Sequence, residues 1–148
     1  VIESRGLGDV YKRQSKKVYA IKPLTFMNNS GICIRELIEY FMIDAQDVMV
    51  FHDDLDVEFG KIKTKFGGSS AGHNGVASID KFIGKDYSRV RIGIGKPKDS
   101  MEVADYVLQN FNDDETIGID KITENITESI SILVEKKLDL FSSTVNNK

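Results

Sequence analysis

Cysteine and histidine are scarce in this 148-residue sequence, and their scarcity excludes several kinds of site. The one cysteine, Cys33, cannot form an internal disulfide, and its apolar helical surroundings predict a buried structural thiol rather than a nucleophile. His52 and His73 are the two histidines, too few with Cys33 for a typical zinc site. A chain without disulfides fits a reducing compartment such as the cytoplasm.

Long apolar runs are also missing, so we predict no membrane span. The first residues show no charged-then-apolar leader, and we therefore expect no export. With 41% hydrophobic and 29% charged residues, the composition is that of a globular protein rather than a disordered one. The length fits one domain.

Charge is distributed unevenly along the chain. Residues 36–58 carry eight acids and no base, and residues 99–139 carry eleven acids against three lysines. Between them, residues 61–98 carry nine Lys or Arg against two acids. This basic third indicates a local footprint for a polyanion, although a solvated basic face is an equally good interpretation of the counts alone.

Strand-like and helix-like segments alternate, which predicts an α/β sheet. The predicted strands are 17–22, 48–51, 61–65 and 89–95. Helices are predicted over 32–42, from 76 to a C-cap at Gly84, over 99–108 behind an Asp99–Glu102 capping box, and from Asn112 onward. The wholly apolar segment 48–51 is typical of a strand buried on both faces.

Polar side chains outside the predicted core form three clusters, each shortly after a predicted strand. The clusters are residues 26–28, Asp53 and His73–Asn74. Ligands gather at the carboxyl ends of strands in open α/β sheets, so we expect the clusters to share one cleft.

Each cluster also has a purely structural interpretation. Asn28 alone is more commonly a helix cap, and the acids at 53–56 alone are more commonly a solvated turn. A divalent-cation site at Asp54 and Asp56 is less favoured, because no other ligand cluster accompanies them. The loop 67–75 lacks the Lys-Ser/Thr ending of a nucleotide P-loop, which argues against an NTPase.

Four segments taken together are far more specific: KPLTFMNNSG, FHDDLDVEFGKIKTKFGGSSAGHNG, RVRIGIGKP and ADYVLQNF. In order and spacing they resemble the bacterial-type peptidyl-tRNA hydrolase family over about residues 17–138. The resemblance implies a single α/β domain with a mixed central sheet flanked by helices. It also implies a cytoplasmic monomer that hydrolyses the ester between peptide and tRNA without metal or cofactor, recognising the acceptor stem and terminal adenosine.

The resemblance assigns catalytic roles to three positions. Asp53 matches the aspartate that orients and polarises a catalytic histidine, which as general base activates a water molecule. Asn28 and Asn74 match asparagines that hold the substrate, where their amides can donate to carbonyl oxygens that gain charge.

Five further positions match substrate-binding residues. Phe26 and Met27 match apolar residues of the pocket, and His73 matches a positioning histidine beside Asn74. Lys65 and Arg91 match contacts to tRNA phosphate, in agreement with the basic third.

The sequence departs from the family pattern at its start, where the family has a strand, a Gly-Asn-Pro-Gly turn and the histidine that acts as base. We therefore expect residues 1–14 to be a non-native leader and residues 15–148 to be an incomplete domain lacking its first strand and first helix. We expect such a chain to be inactive or nearly so. His52 is expected to point away from Asp53, because side chains alternate along a strand.

Two alternatives remain open. A non-catalytic RNA-binding relative would keep the groove without the base. An unrelated phosphate-binding α/β enzyme would require the joint match of the four segments to be a coincidence.

Overall fold

The computed structural model describes residues 17–98 and 100–148. The predicted non-native leader therefore lies outside the described residues, as does Asp99. The helices are α1 (Ser30–Phe41), α2 (Asn74–Ile83), α3 (Val103–Leu108), α4 (Asp113–Val134) and α5 (Leu138–Asn146), and the strands are β1 (Met49–Asp54), β2 (Ile62–Phe66) and β3 (Ser88–Gly93). Short 3-10 turns span Met27–Asn29 and Ala45–Asp47. By their contacts the described residues divide into unit 1, residues 17–50 and 66–88, and unit 2, residues 51–65 and 89–148.

The three strands form one sheet in the order β1-β3-β2. Strand β3 runs parallel to β1: the Ser88 N–H donates to Val48 O at 3.0 Å, and the Ile94 N–H donates to Asp54 O at 3.1 Å. The residue numbers on the two strands rise together, which defines a parallel pair.

Strand β2 runs antiparallel to β3. The Gly93 N–H donates to Lys61 O at 2.8 Å, whereas at the other end the Gly67 N–H donates to Tyr87 O at 2.9 Å. The predicted mixed sheet with helices is thus confirmed.

Two strand predictions were wrong. Residues 17–22 are not a strand and have no ladder partner among the described residues; Tyr19 instead stacks on Phe41, with ring centroids 4.0 Å apart. Strand β1 is not buried on both faces, because the side chain of Phe51 is 42% exposed. This strand lies at an edge of the described sheet.

Unit 1 depends on a close approach of α1 to α2. Cys33, Leu37 and Val76 are buried there. Gly31 permits the approach: its N–H donates to Ser78 Oγ at 3.0 Å, and a Cβ at Gly31 would lie 2.1 Å from Ser78 O. The buried Cys33 confirms the predicted structural thiol, and burial, followed by the charge of Glu36, raises the pKa of this thiol.

Unit 2 contains the long helix α4, which begins where the sequence predicts. Asn112 Oδ1 accepts from the Glu115 N–H at 2.9 Å, while Glu115 Oε2 accepts from the Asn112 N–H at 2.9 Å, completing a capping box. The box predicted for α3 was wrong, because that helix begins after Glu102, which makes no side-chain cap.

Helix α5, which the sequence did not predict, packs on α4. Phe141 and Val145 of α5 are fully buried, as is Leu133 of α4. In the part of the chain that the structure describes, no helix has the length and apolar content needed to cross a membrane.

Candidate active site

Two of the predicted clusters meet in unit 1, where the 3-10 turn Met27–Asn29 contacts the start of α2. Gly75 leaves the room for this contact, because a Cβ there would lie 2.5 Å from Met27 Sδ. Asn28 and Asn74 are exposed on these two adjoining elements. The structure thus brings residues 27–28 and 73–74 together, while the roles assigned to them stay predictions.

Phe26 precedes the turn and is 84% exposed, and Met27 is 54% exposed. Their exposed apolar surface is accessible to a ligand. The exposure of this pair is compatible with the predicted pocket contact.

His73 is the N-cap of α2. Its Nδ1 accepts hydrogen bonds from the Gly75 N–H at 3.1 Å and the Val76 N–H at 3.2 Å. Because Nδ1 is the acceptor, the proton of the neutral ring is on Nε2. The cap fixes the orientation of the first turn of α2, which carries Asn74. The positioning role of His73 stays a prediction.

Asp53 lies in unit 2 on the wall of a cleft of about 240 Å³. The other residues that line this cleft are Ile94, Tyr106, Val107, Gln109, Asn110, Phe111 and Glu115. The Tyr106 hydroxyl donates to Ile94 O at 2.6 Å and so ties α3 to the end of β3. The sequence prediction missed these lining residues, although the segment ADYVLQNF that contains Tyr106 was one of the four that carry the resemblance.

The acidic turn that follows β1 is held by an ion pair. Arg91 Nε lies 2.7 Å from Asp54 Oδ2, and the Asp56 N–H donates to Asp54 Oδ1 at 2.9 Å. Burial by itself would raise the pKa of Asp54, but the hydrogen bonds from Arg91 and Asp56 and the charge of Arg91 bring that pKa below its ordinary value. The same partnership raises the pKa of Arg91.

The other half of the turn is also paired, because Lys96 Nζ lies 2.9 Å from Asp56 Oδ1. Asp54 and Asp56 therefore each form an ion pair with a basic side chain of the protein. Across the residues that the structure describes, no group of three or more His, Cys, Asp or Glu could hold a metal ion.

His52 is buried, with 8% exposure, and its Nδ1–H donates to the backbone oxygen of Asp53 at 2.7 Å. Along β1, His52 and Asp54 share one face and Asp53 occupies the other. The burial of His52 shows that its ring is packed in the protein, and strand alternation places this ring on the face opposite the Asp53 carboxylate.

The basic third is not uniformly available to a ligand. Lys63 and Lys65 are exposed on the same face of β2, whereas Arg89 is only 3% exposed. The side chain of Arg91 is 21% exposed and is paired with Asp54. Lys65 thus has the exposure expected of a phosphate contact, and Arg91 has a protein partner that the sequence did not reveal.

Comparison with known proteins gives one consistent result. Residues 3–148 match a family model described as peptidyl-tRNA hydrolase. A peptidyl-tRNA hydrolase of Pelagibacter ubique (strain HTCC1062) is 73% identical over 144 residues, which cover 97% of this chain and 77% of that protein. One of Rickettsia bellii (strain RML369-C) is 44% identical over 128 residues, covering 86% and 69%.

Among solved structures, the crystal structure of peptidyl-tRNA hydrolase from Acinetobacter baumannii superposes with a TM-score of 0.77 at 30% identity. The superposition covers 85% of this chain and 64% of that one. These findings define the class as α/β carboxylic-ester hydrolases of translation. The chain belongs to the peptidyl-tRNA hydrolase family.

Proposed function

We propose that the reaction served by this chain is hydrolysis of the ester between the peptide and the terminal ribose of peptidyl-tRNA, which releases tRNA for reuse. The match to the family over residues 3–148, with 73% identity to a named peptidyl-tRNA hydrolase, carries the proposal. The names of both relatives favour the enzyme over the non-catalytic RNA-binding alternative. The proposal includes a cytoplasmic monomer that needs no metal.

In the proposed reaction the family's catalytic histidine, which is neither His52 nor His73, deprotonates water, and the water oxygen attacks the ester carbonyl. The bond between the carbonyl carbon and the ribose oxygen then breaks, and the histidine returns the proton to that oxygen. Asp53 would orient this histidine and stabilise its charged form. Its position on the wall of a cleft supports the role, because a carboxylate shielded from bulk water interacts more strongly with an imidazolium. His52 is not that base, because its ring occupies the opposite face of β1.

Asn28 and Asn74 would donate amide hydrogen bonds to the ester and peptide carbonyls, where negative charge develops. Their support is the contact between the turn Met27–Asn29 and the first turn of α2. Phe26 and Met27 would supply apolar contact to the terminal adenosine or the peptide.

The acceptor stem would lie along the face of β2 that bears Lys63 and Lys65. Alternate residues of a strand are spaced roughly 6.6 Å apart, a distance that allows two lysines to meet neighbouring phosphates. Exposed lysines contribute to such binding by releasing counterions from the nucleic acid.

The test is release of labelled N-acetyl amino acid from N-acetyl-aminoacyl-tRNA. Asp53→Asn should lower the rate roughly 100-fold or more, the usual scale of general-base catalysis. Asp86→Asn removes an exposed acid of unit 1 and is the matched control. Binding of tRNA without cleavage would agree both with the expected inactivity of this chain and with the RNA-binding alternative, and no binding at all would overturn the proposal.

That assay also measures the activity of these 148 residues by themselves. The expectations that the chain is a truncated copy and that it is inactive stay predictions. A rate for the unchanged chain that Asp53→Asn abolishes would contradict the expected inactivity.

A further inference from the structure

The side chain of Arg91 is directed at the acidic turn rather than left open to solvent. Its Nε lies 2.7 Å from Asp54 Oδ2, and the two side chains are 21% and 11% exposed. The second carboxylate oxygen accepts from the Asp56 N–H at 2.9 Å, so both oxygens of Asp54 have a donor. A carboxylate bonded in this way has one favoured orientation.

Backbone contacts hold the same turn against the end of β3. The Ile94 N–H donates to Asp54 O at 3.1 Å, and the Gly95 N–H donates to Val57 O at 3.1 Å. The approach is close, because a Cβ at Gly93 would lie 1.9 Å from Glu58 O. The turn therefore has a fixed position relative to β3, with Arg91 anchoring it at Asp54 and Lys96 at Asp56.

We infer that Arg91 is a positioning residue, which locks Asp54 on one face of β1 and thereby presents Asp53 to the cleft on the other face. Successive residues of a strand point to opposite faces, so fixing Asp54 also fixes the backbone from which Asp53 projects. The inference rests on the proposed function, which supplies the role of Asp53. The pairing of Arg91 with Asp54 requires a guanidinium, because a lysine cannot reproduce the planar Nε–H donor.

The sequence suggested a different role, direct contact of Arg91 with tRNA phosphate. The antiparallel register of β2 and β3 places Arg91 beside Lys63, on the face that carries the exposed lysines. The two roles predict different responses. Loss of a phosphate contact lowers the salt dependence of tRNA binding, because that contact depends on charge. Loss of a positioning residue instead lowers the rate of hydrolysis, because it acts through Asp54.

The experiment compares Arg91→Gln, Arg91→Lys, Asp54→Asn and the double variant Arg91→Gln/Asp54→Asn, with Lys121→Gln as a charge-loss control on the exposed side of α4. For each we would measure kcat and KM for N-acetyl-aminoacyl-tRNA and the salt slope of tRNA binding. Assays are run well below the melting temperature of every variant. Two-dimensional NMR of the amides of residues 53 and 55–57 provides a readout that needs no turnover.

If Arg91 positions Asp53, Arg91→Gln, Arg91→Lys and Asp54→Asn each lower kcat roughly tenfold to a hundredfold and change KM little. The double variant is then no slower than the slower single variant, because the two residues act as one unit. The salt slope is unchanged, and Arg91→Gln shifts the amide signals of residues 53 and 55–57, which are distant from it in sequence.

The opposite pattern overturns the inference: Arg91→Gln lowers the salt slope by about 0.7 to 0.9, Arg91→Lys restores it, and Asp54→Asn has no effect on the rate. Amide signals that stay in place in Arg91→Gln also overturn it. If the unchanged chain does not hydrolyse the ester, as its expected inactivity predicts, the NMR result alone decides whether Arg91 holds the turn. Failure of the proposed function would be seen separately, as absence of tRNA binding by the unchanged chain.

Discussion

The side-chain amide of Asn146 pairs with both backbone groups of Ile62. The Ile62 N–H donates to Asn146 Oδ1 at 2.9 Å, and Asn146 Nδ2 donates to Ile62 O at 2.9 Å. Because β2 is an edge strand of the described sheet, this amide occupies the place of a neighbouring strand's peptide group. The end of α5 thereby satisfies the outer edge of β2.

Asn146→Ala should lower the free energy of unfolding by about 1–3 kcal/mol, because it leaves two shielded backbone groups without partners. Urea denaturation measures the change. Asn147→Ala, one residue on and exposed, is the control and should shift stability by less than about 0.5 kcal/mol. Equal effects of the two substitutions would show that the amide pair contributes nothing.

His73→Ala should destabilise α2 by about 1 kcal/mol, since it removes the acceptor for the N–H groups of Gly75 and Val76. His73→Asp should recover most of the loss, because aspartate is a strong N-cap. Thermal unfolding distinguishes the two variants. If both melt alike, the cap is not what His73 contributes.

Gly31→Ala should destabilise unit 1, although alanine in a helix is ordinarily favoured over glycine by about 1 kcal/mol. The added Cβ would meet Ser78 O at 2.1 Å, which forces α1 away from α2. Overpacking of this kind costs about 1–3 kcal/mol. A variant with an unfolding free energy equal to or above that of the parent would disprove the close approach.

Stability should depend on the ionisation of Asp54 at acid pH. The folded pKa of Asp54 lies below its ordinary 3.8, so folding favours the carboxylate. Its contribution is present above about pH 4 and is lost as the pH falls through the folded value. The stability gap between the parent and Asp54→Asn should therefore be widest at neutral pH and close in strong acid.

Urea denaturation at a series of pH values measures this gap. Asp86→Asn, at an exposed acid, is measured alongside it as the charge-loss control. A gap for Asp54→Asn that stays constant down to strong acid would mean that the ion pair with Arg91 does not stabilise the fold.

Lys65→Ala should weaken tRNA binding and reduce the slope of log affinity against log salt by about 0.7 to 0.9, the loss of one phosphate contact. Fluorescence anisotropy at several salt concentrations gives the slope. Lys121→Ala, on α4, is the control. An unchanged slope in Lys65→Ala would remove β2 from the proposed interface.

The sequence by itself determined the elements whose signals are local. Helix α4 begins at Asn112 as predicted, and α2 ends at Gly84, because capping joins residues within one turn of each other. The sequence also indicated the family, because the order and spacing of four segments can be compared without knowledge of their contacts. The segment 17–22 shows the limit: its composition suited a strand, but a strand exists only when another strand pairs with it.

Tertiary structure alone decided which side chains have partners. Arg91 meets Asp54 across 37 residues of sequence, and Asn146 meets Ile62 across 84. Such pairs depend on strand register and on where a helix ends against a sheet, and neither is encoded in the spacing of nearby residues. For the same reason the sequence could name Asp53 as a candidate but could not show that the neighbouring Asp54 is bound to Arg91 on the opposite face.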